Sequence, residues 1–185
     1  MGSRDCKSNG GFARLLAASL LMGVSFTANA RPLPDSVRDA FPLTRVGQGV
    51  MTWFGISIYE ASLWTQSGSY KNFDSDLPLV LHITYKQSIQ RQELVDATVE
   101  QWERLGYFDR DSRRVWKQRL ENVWPDVKPG DSITTVVLSD RSTQFFANEK
   151  LIAEIKESVF GRALISIWLH PDTDEPELRK KLIRG

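Results

Sequence analysis

The chain has almost no cysteine. Cys6 is the only one in 185 residues, and histidine occurs just twice, at His82 and His170. With one thiol, no internal disulfide and no multi-cysteine metal site can be built. The two histidines share no metal-ligand spacing with each other or with a cluster of carboxylates, so no metal site is expected. The sequence also lacks H-E-x-x-H, G-x-S-x-G, a P-loop and G-x-G-x-x-G, and no cofactor is implied. There is no internal repeat and no low-complexity stretch. Charge of one sign is lacking too. Twenty-four basic side chains meet 23 acidic ones, a balance that leaves no electrostatic footprint for nucleic acid.

Long apolar runs are equally scarce. The longest, Leu15–Val24, has ten residues, well short of the roughly 20 that span a bilayer. Its setting explains it. Arg4, Lys7 and Arg14 precede it, and Ala28-Asn29-Ala30 follows it. A basic start, a short apolar centre and a small-x-small end make a secretory signal peptide. Residues 1–30 are therefore expected to be removed on export, with the periplasm or the exterior as destination. Cys6 leaves with them, and its place ahead of the apolar run does not suit a lipid anchor. Residues 31–185 remain, a length suited to one domain with a real core. Without Arg4, Asp5, Lys7 and Arg14, that part keeps 21 basic and 22 acidic side chains.

The patterning within 31–185 mixes strand and helix. A helical turn is expected around Asp35–Ala40. Residues 50–65, rich in Trp53, Phe54, Ile56, Ile58, Tyr59 and Trp64, predict one long strand or two short ones. Gly47-Gln48-Gly49 ahead of them predicts a tight turn. Leu79–Lys86 alternates: Leu79, Leu81, Ile83 and Tyr85 share one face, and Val80, His82, Thr84 and Lys86 the other, the pattern of a half-buried strand. Leu94, Val95, Thr98, Val99, Trp102 and Leu105 then form a helical stripe ended by Gly106. A second helix is expected from an Asp111 cap, burying Val115, Trp116, Leu120, Val123 and Trp124 up to Pro125.

Lys128–Asp131 predicts a turn. Ile133–Leu138, Thr143–Ala147 and Leu151–Ile155 predict strands, with a turn at Asn148-Glu149. Helices close the chain over Val159–Leu169 and from Pro176, the latter with Asp174 as cap. Strands, a helix pair, strands and then helices argue for an α+β fold, with helices layered on one face of an antiparallel sheet.

Little here carries chemistry. Paired carboxylates, Glu154 with Glu157 and Asp172 with Asp174, sit at helix starts, where capping accounts for them. Arg179, Lys180, Lys181 and Arg184 complement a helix C-terminus and offer at most a peripheral contact with anionic lipid. Six tryptophans are the main resource. They either pack a core or line an apolar pocket between sheet and helices.

Four segments resemble a known family. They are Gly47-Gln48-Gly49 with Phe54–Trp64, Trp102-Glu103-Arg104-Leu105-Gly106, Pro125–Asp131, and Ser158–Leu169. In that order they are similar to the chalcone isomerase-like family, in its bacterial exported branch, over roughly Val46–Ile183. The resemblance implies an open-faced β-sandwich with a ligand cleft between sheet and helices. It also implies an equipment list. The plant enzyme closes a chalcone to a flavanone with an arginine two residues past the G-x-G, assisted by a tyrosine and an asparagine. Non-catalytic relatives pair the same arginine with a fatty-acid carboxylate.

Carried over, the arginine position holds Met51, the tyrosine position Gln90 and the asparagine position Ala97. Methionine neither stabilises an oxyanion nor acts as a base, so chalcone isomerase activity is not expected. The cleft is expected to involve Met51, Trp53, Tyr59, Gln90, Ala97 and Trp102. Arg45, Lys86 and Arg91 are the candidate cationic partners. The favoured reading is a non-catalytic exported protein that binds a small apolar ligand such as an acyl chain. Two alternatives stand beside it: a cell-envelope structural or partner protein without a ligand, and an isomerase or lyase of unknown substrate.

Overall fold

The computed structural model describes residues 33–106 and 109–184. The expected signal peptide lies outside the described residues. One antiparallel meander of six strands forms the sheet, in the order β1-β2-β3-β4-β5-β6. The strands are β1 (Thr44–Trp53), β2 (Ile56–Thr65), β3 (Leu79–Tyr85), β4 (Ser132–Val137), β5 (Thr143–Ala147) and β6 (Lys150–Ile155). The helices are α1 (Asp35–Ala40), α2 (Arg91–Arg104), α3 (Arg110–Val123), α4 (Phe160–Leu169) and α5 (Pro176–Ile183). The α+β architecture is as the patterning implies.

One face of the sheet carries the main core. Leu79, Leu81, Ile83 and Tyr85 of β3 pack there with Val95 and Trp102 of α2, Trp116 and Leu120 of α3, Phe160 and Leu164 of α4, and Leu178 and Leu182 of α5. The opposite face is not left open. Leu33 and Val37, the latter on α1, cover Val80, Val136 and Phe146 in a second, smaller cluster. β3 is therefore buried along its whole length, not half-buried. His82, on its polar side, is held between Thr134, at 2.8 Å from Nδ1, and Thr84, at 3.2 Å from Nε2.

Gly47-Gln48-Gly49 is not a turn. It lies inside β1, where α5 crosses the strand. A Cβ at Gly47 would come within 2.2 Å of the Lys181 carbonyl oxygen, and one at Gly49 within 2.8 Å of Leu178 Cδ1. The glycines are there for close backbone approach. The turn falls instead at Phe54-Gly55, with φ of 45° and 80°. Both central residues have positive φ, as a type I′ hairpin turn requires and as phenylalanine seldom supplies.

The cap of α3 is Asp109, two residues before the expected Asp111. Its carboxylate accepts from the Ser112 backbone N–H at 2.9 Å and the Ser112 hydroxyl at 2.8 Å. These bonds hold Asp109 below the usual carboxylate range. Val115 is exposed on this helix rather than buried. Asp174 does not cap α5. It accepts from Gln101 Nε2 of α2 at 2.9 Å and pairs with Arg104. Glu157 likewise caps no helix. It accepts from Trp116 Nε1 at 2.9 Å and Arg119 at 3.0 Å, tying α3 to the loop before α4.

Candidate functional site

The space between sheet and helices is filled unevenly. Where α2, α3 and α4 meet, aromatic rings close it. Trp102 meets Trp116 edge-on at 5.3 Å between centroids, and Phe160 meets Trp116 at 5.6 Å and Phe145 at 6.1 Å. The Trp102 indole donates to the Ala163 carbonyl at 3.0 Å. Trp102, completely buried, is a core residue and does not line a cleft.

Toward the start of β2 the filling stops. A cavity of about 50 Å³ remains, lined by Ile58 and Tyr59 of β2, Ile83 and Tyr85 of β3, Ile89, and Trp124. Leu94, Ala97, Thr98 and Gln101 line it from α2, and Ile167 and Trp168 from α4. Three local features build it. Leu94, Ala97, Thr98 and Gln101 are spaced i, i+3, i+4, i+7, so one stripe of α2 faces inward. β2 bulges where Met51 pairs with Tyr59 and Thr52 with Ser57, so Ile58 is the extra residue and both it and Tyr59 are buried. Bulges of this kind re-aim side chains beside sites. Finally, Ile89 bridges to Val127, which turns the chain from β3 into α2 over the cavity. Half-buried Leu94, Ala97 and Trp168 form its rim.

The wall is largely apolar. Among the described residues no carboxylate, imidazole, amine or guanidinium lines it. Its polar groups are two phenols, an amide, a hydroxyl and two indoles. Trp168 Nε1 donates to Tyr59 Oη at 3.0 Å, and Thr98 Oγ1 donates to the Leu94 carbonyl at 2.9 Å. Gln101 is held by Asp174 and Arg104. The rings of Tyr59 and Tyr85 meet edge-on at 6.2 Å. Burial pushes both phenols far above their ordinary range, so both stay protonated. The charge of Glu175 adds a smaller upward push on Tyr59. Burial, with Asp174 beside it, in turn raises the Glu175 carboxyl.

Of the six residues expected from the sequence, the cavity brings together Tyr59 and Ala97. Met51 is fully buried in the core beside them without lining the cavity. Trp53 stacks edge-on against Phe54 at the hairpin tip, 4.6 Å between centroids. Gln90 is exposed, where it caps α2 in a reciprocal box with Glu93. None of the three candidate cations reaches the site. Arg45 is exposed and lies over the Trp64 ring at 5.7 Å, Lys86 pairs with Glu60 at 3.4 Å, and the Arg91 backbone N–H binds Asp126. The other ten wall residues, Tyr85, Thr98, Gln101, Trp124 and Trp168 among them, were not in the motif reading. The alternation of β3 and the α2 stripe carried part of the signal, through Tyr85 and Thr98.

Among the described residues no group of three His, Asp or Glu side chains is placed to hold a metal ion. No helix there is long and apolar enough to cross a membrane.

Comparison with known proteins places the fold. A crystal structure of a fatty-acid binding protein from Arabidopsis thaliana superposes with a TM-score of 0.56 at 10% identity, covering 76% of this chain and 87% of that one. An uncharacterised protein of Haemophilus influenzae is 25% identical over 138 residues. That match takes in 75% of this chain and 66% of the relative, so this chain spans just under two thirds of the relative's length. The family model described as chalcone isomerase-like matches residues 32–183, and the chain belongs to the chalcone isomerase-like family.

Proposed function

We propose that this protein is a non-catalytic binder of a small apolar ligand, exported by way of residues 1–30. The observation that carries the reading is the cavity over Tyr59 and Tyr85. It is concave, aromatic and apolar, with a few polar groups at fixed positions, the usual make-up of a small-molecule site. Its two titratable side chains stay neutral, so the wall offers no general base and no charged nucleophile. The fatty-acid binding of the Arabidopsis neighbour supports an acyl chain or a compound like it. At about 50 Å³ the cavity has room for a few waters' worth of ligand, so a longer chain has to run out over the rim at Leu94, Ala97 and Trp168.

Organic extraction of the purified chain followed by mass spectrometry tests this. A stoichiometric apolar compound is expected. Extracts indistinguishable from buffer, together with no binding of any alkyl compound in titration, would sink the reading.

One observation favours a second reading, a partner protein of the cell envelope. Phe54 is 86% exposed at the β1–β2 turn, and Ile56 and Val50 are also exposed. An aromatic held out in a left-handed turn suits a contact with another molecule. Under this reading Phe54→Asn loses co-purifying envelope proteins and leaves ligand content unchanged. Under the first reading alone, it changes neither.

A further inference from the structure

The cavity's hydrogen bonds do not close. Tyr85 is 5% exposed and lines the cavity, and its hydroxyl makes no hydrogen bond among the described residues. Tyr59 is also 5% exposed. Its oxygen accepts from Trp168 Nε1, and its own proton has no acceptor among the described residues. Two nearly buried side chains thus line the same apolar space with O–H groups that have no acceptor among the described residues. Buried donors in native folds are nearly always satisfied, and each exception calls for a reason.

The charges around the site narrow the reason. No cation lines the wall. The ionisable groups next to it are Glu175, whose charge acts on Tyr59, and the Asp174–Arg104 ion pair, both members of which bind Gln101. An anion placed here would meet no unpaired cation, because Arg104 is already paired with Asp174, and little would offset its desolvation. A neutral acceptor oxygen meets the opposite situation. It completes two donors that are already desolvated and already in place.

Building on the binding function proposed above, we infer that the ligand is uncharged and presents a carbonyl, ester or ether oxygen to the Tyr59 and Tyr85 hydroxyls. The site selects against carboxylates. An alkyl chain extending from that oxygen lies along Ile58, Ile83, Ile89, Leu94 and Ile167. Trp124 packs the far wall.

Three compounds of matched length test the inference on the full chain by calorimetric titration: methyl hexanoate, hexanoate and heptane, at a pH where hexanoic acid is ionised. Methyl hexanoate is expected to bind tightest. Heptane should bind about 25-fold more weakly, for want of two net hydrogen bonds of about fivefold each. Hexanoate should bind at least about tenfold more weakly. Tyr85→Phe should cost about fivefold for the ester and nothing for heptane, a split that a merely structural role would not produce.

Tyr85→Phe removes an unpaired hydroxyl and keeps the ring, so folding is expected to survive. Tyr59→Phe, which also strands the Trp168 indole, gives a second readout of the same split. Hexanoate binding as tightly as its ester overturns the inference while leaving the binding function standing. So does an ester affinity that Tyr85→Phe leaves unchanged. If none of the three compounds binds, the binding function falls and the inference with it.

Discussion

Two ends of one interlayer use the same kinds of side chain and finish differently. At the α2–α3–α4 end, Trp102, Trp116, Phe160 and Phe145 interlock edge to face. The polar handles of the two tryptophans are spent inside the fold, on the Ala163 carbonyl and on Glu157. At the β2–β3 end, Tyr59, Tyr85 and Trp168 surround a void, and two phenolic protons are left over. Trp124 touches both ends. It meets Phe145 edge-on at 5.9 Å and lines the cavity, and its buried Nε1 has no partner among the described residues. Aromatic content therefore does not distinguish core from pocket in this chain. What distinguishes them is whether the donors are satisfied from within.

The packed end should respond most to truncation. Trp102 is completely enclosed, and Trp102→Ala removes a large side chain together with a buried hydrogen bond. A loss of about 3–5 kcal/mol is expected, a large share of the ~5–15 kcal/mol that holds a domain. Urea unfolding would show it as a lower midpoint with an unchanged slope. Tyr59→Ala at the hollow end should cost less, because that site is already partly empty and its neighbours have room to relax. Equal losses at the two ends would remove the contrast between them.

Next in size is the contact that holds α5 over β1. Gly47→Ala places a methyl group against the Lys181 backbone carbonyl, which cannot swing aside as a side-chain tip can. Overpacking of this kind costs about 1–3 kcal/mol. α5 follows directly on Glu175, the acid whose charge acts on Tyr59, so a displaced helix should also disturb the hollow end while sparing the Trp102 cluster. The indole N–H resonance of Trp168 shifting while that of Trp102 stays in place would report that split. A uniform change in both would show that the two ends move as one.

How much of this was legible before the fold was known follows the same division. Periodic positions were readable. The alternation of β3 and the stripes of α2 and α4 survive within a residue or two, because burial on one side imposes a period whatever the detail. Non-periodic positions were not. Gly47 and Gly49 look like a turn in one dimension, and only the crossing of α5 explains them. Phe54 hides its turn because left-handed backbone is not expected of a phenylalanine. The outer face of β3 looks solvated because its side chains are polar, but α1, far away in the chain, covers part of that face. The site divides likewise. Tyr59 and Ala97 came from counting along motifs, and so did Gln90, which the bridge between Ile89 and Val127 turns outward onto a helix cap. Gln101 reaches the cavity from α2, Trp124 from just past the end of α3, and Trp168 from α4. Only the tertiary packing brings them together.

Filling the cavity sharpens the comparison from the other side. Ala97→Leu leaves helix propensity nearly unchanged and directs three carbons toward the void. Recovering about 50 Å³ of cavity at roughly 24 cal/mol per Å³ is worth about 1 kcal/mol. The melting temperature should rise while ligand binding is lost. The same enlargement at the packed end, Ala163→Leu, should destabilise, since Ala163 is fully enclosed and carries the carbonyl that receives Trp102. Two alanine-to-leucine changes of opposite sign would separate the two ends in a single assay. A loss of stability in both would mean that the cavity has no usable room.

The smallest expected effect tests the electrostatics of the hollow end. The Glu175 carboxyl is raised above its ordinary value of 4.5 by burial first and by Asp174 second. The folded state therefore holds this proton more tightly than the unfolded chain does. Its contribution is fully present below pH 4.5 and is lost as pH rises through the elevated folded value, because the ionised carboxylate is then partly buried beside another acid. Glu175→Gln should accordingly leave stability unchanged at low pH and raise it slightly near neutrality. The gain should be modest, since the group is only half-buried and water screens it. Denaturant midpoints of the two proteins plotted against pH should coincide at the acid end and separate upward. Curves that coincide at the acid end and separate downward, with the variant the less stable near neutrality, would mean that Glu175 is stabilised as the anion. Neutral ligands would then have no electrostatic advantage at Tyr59.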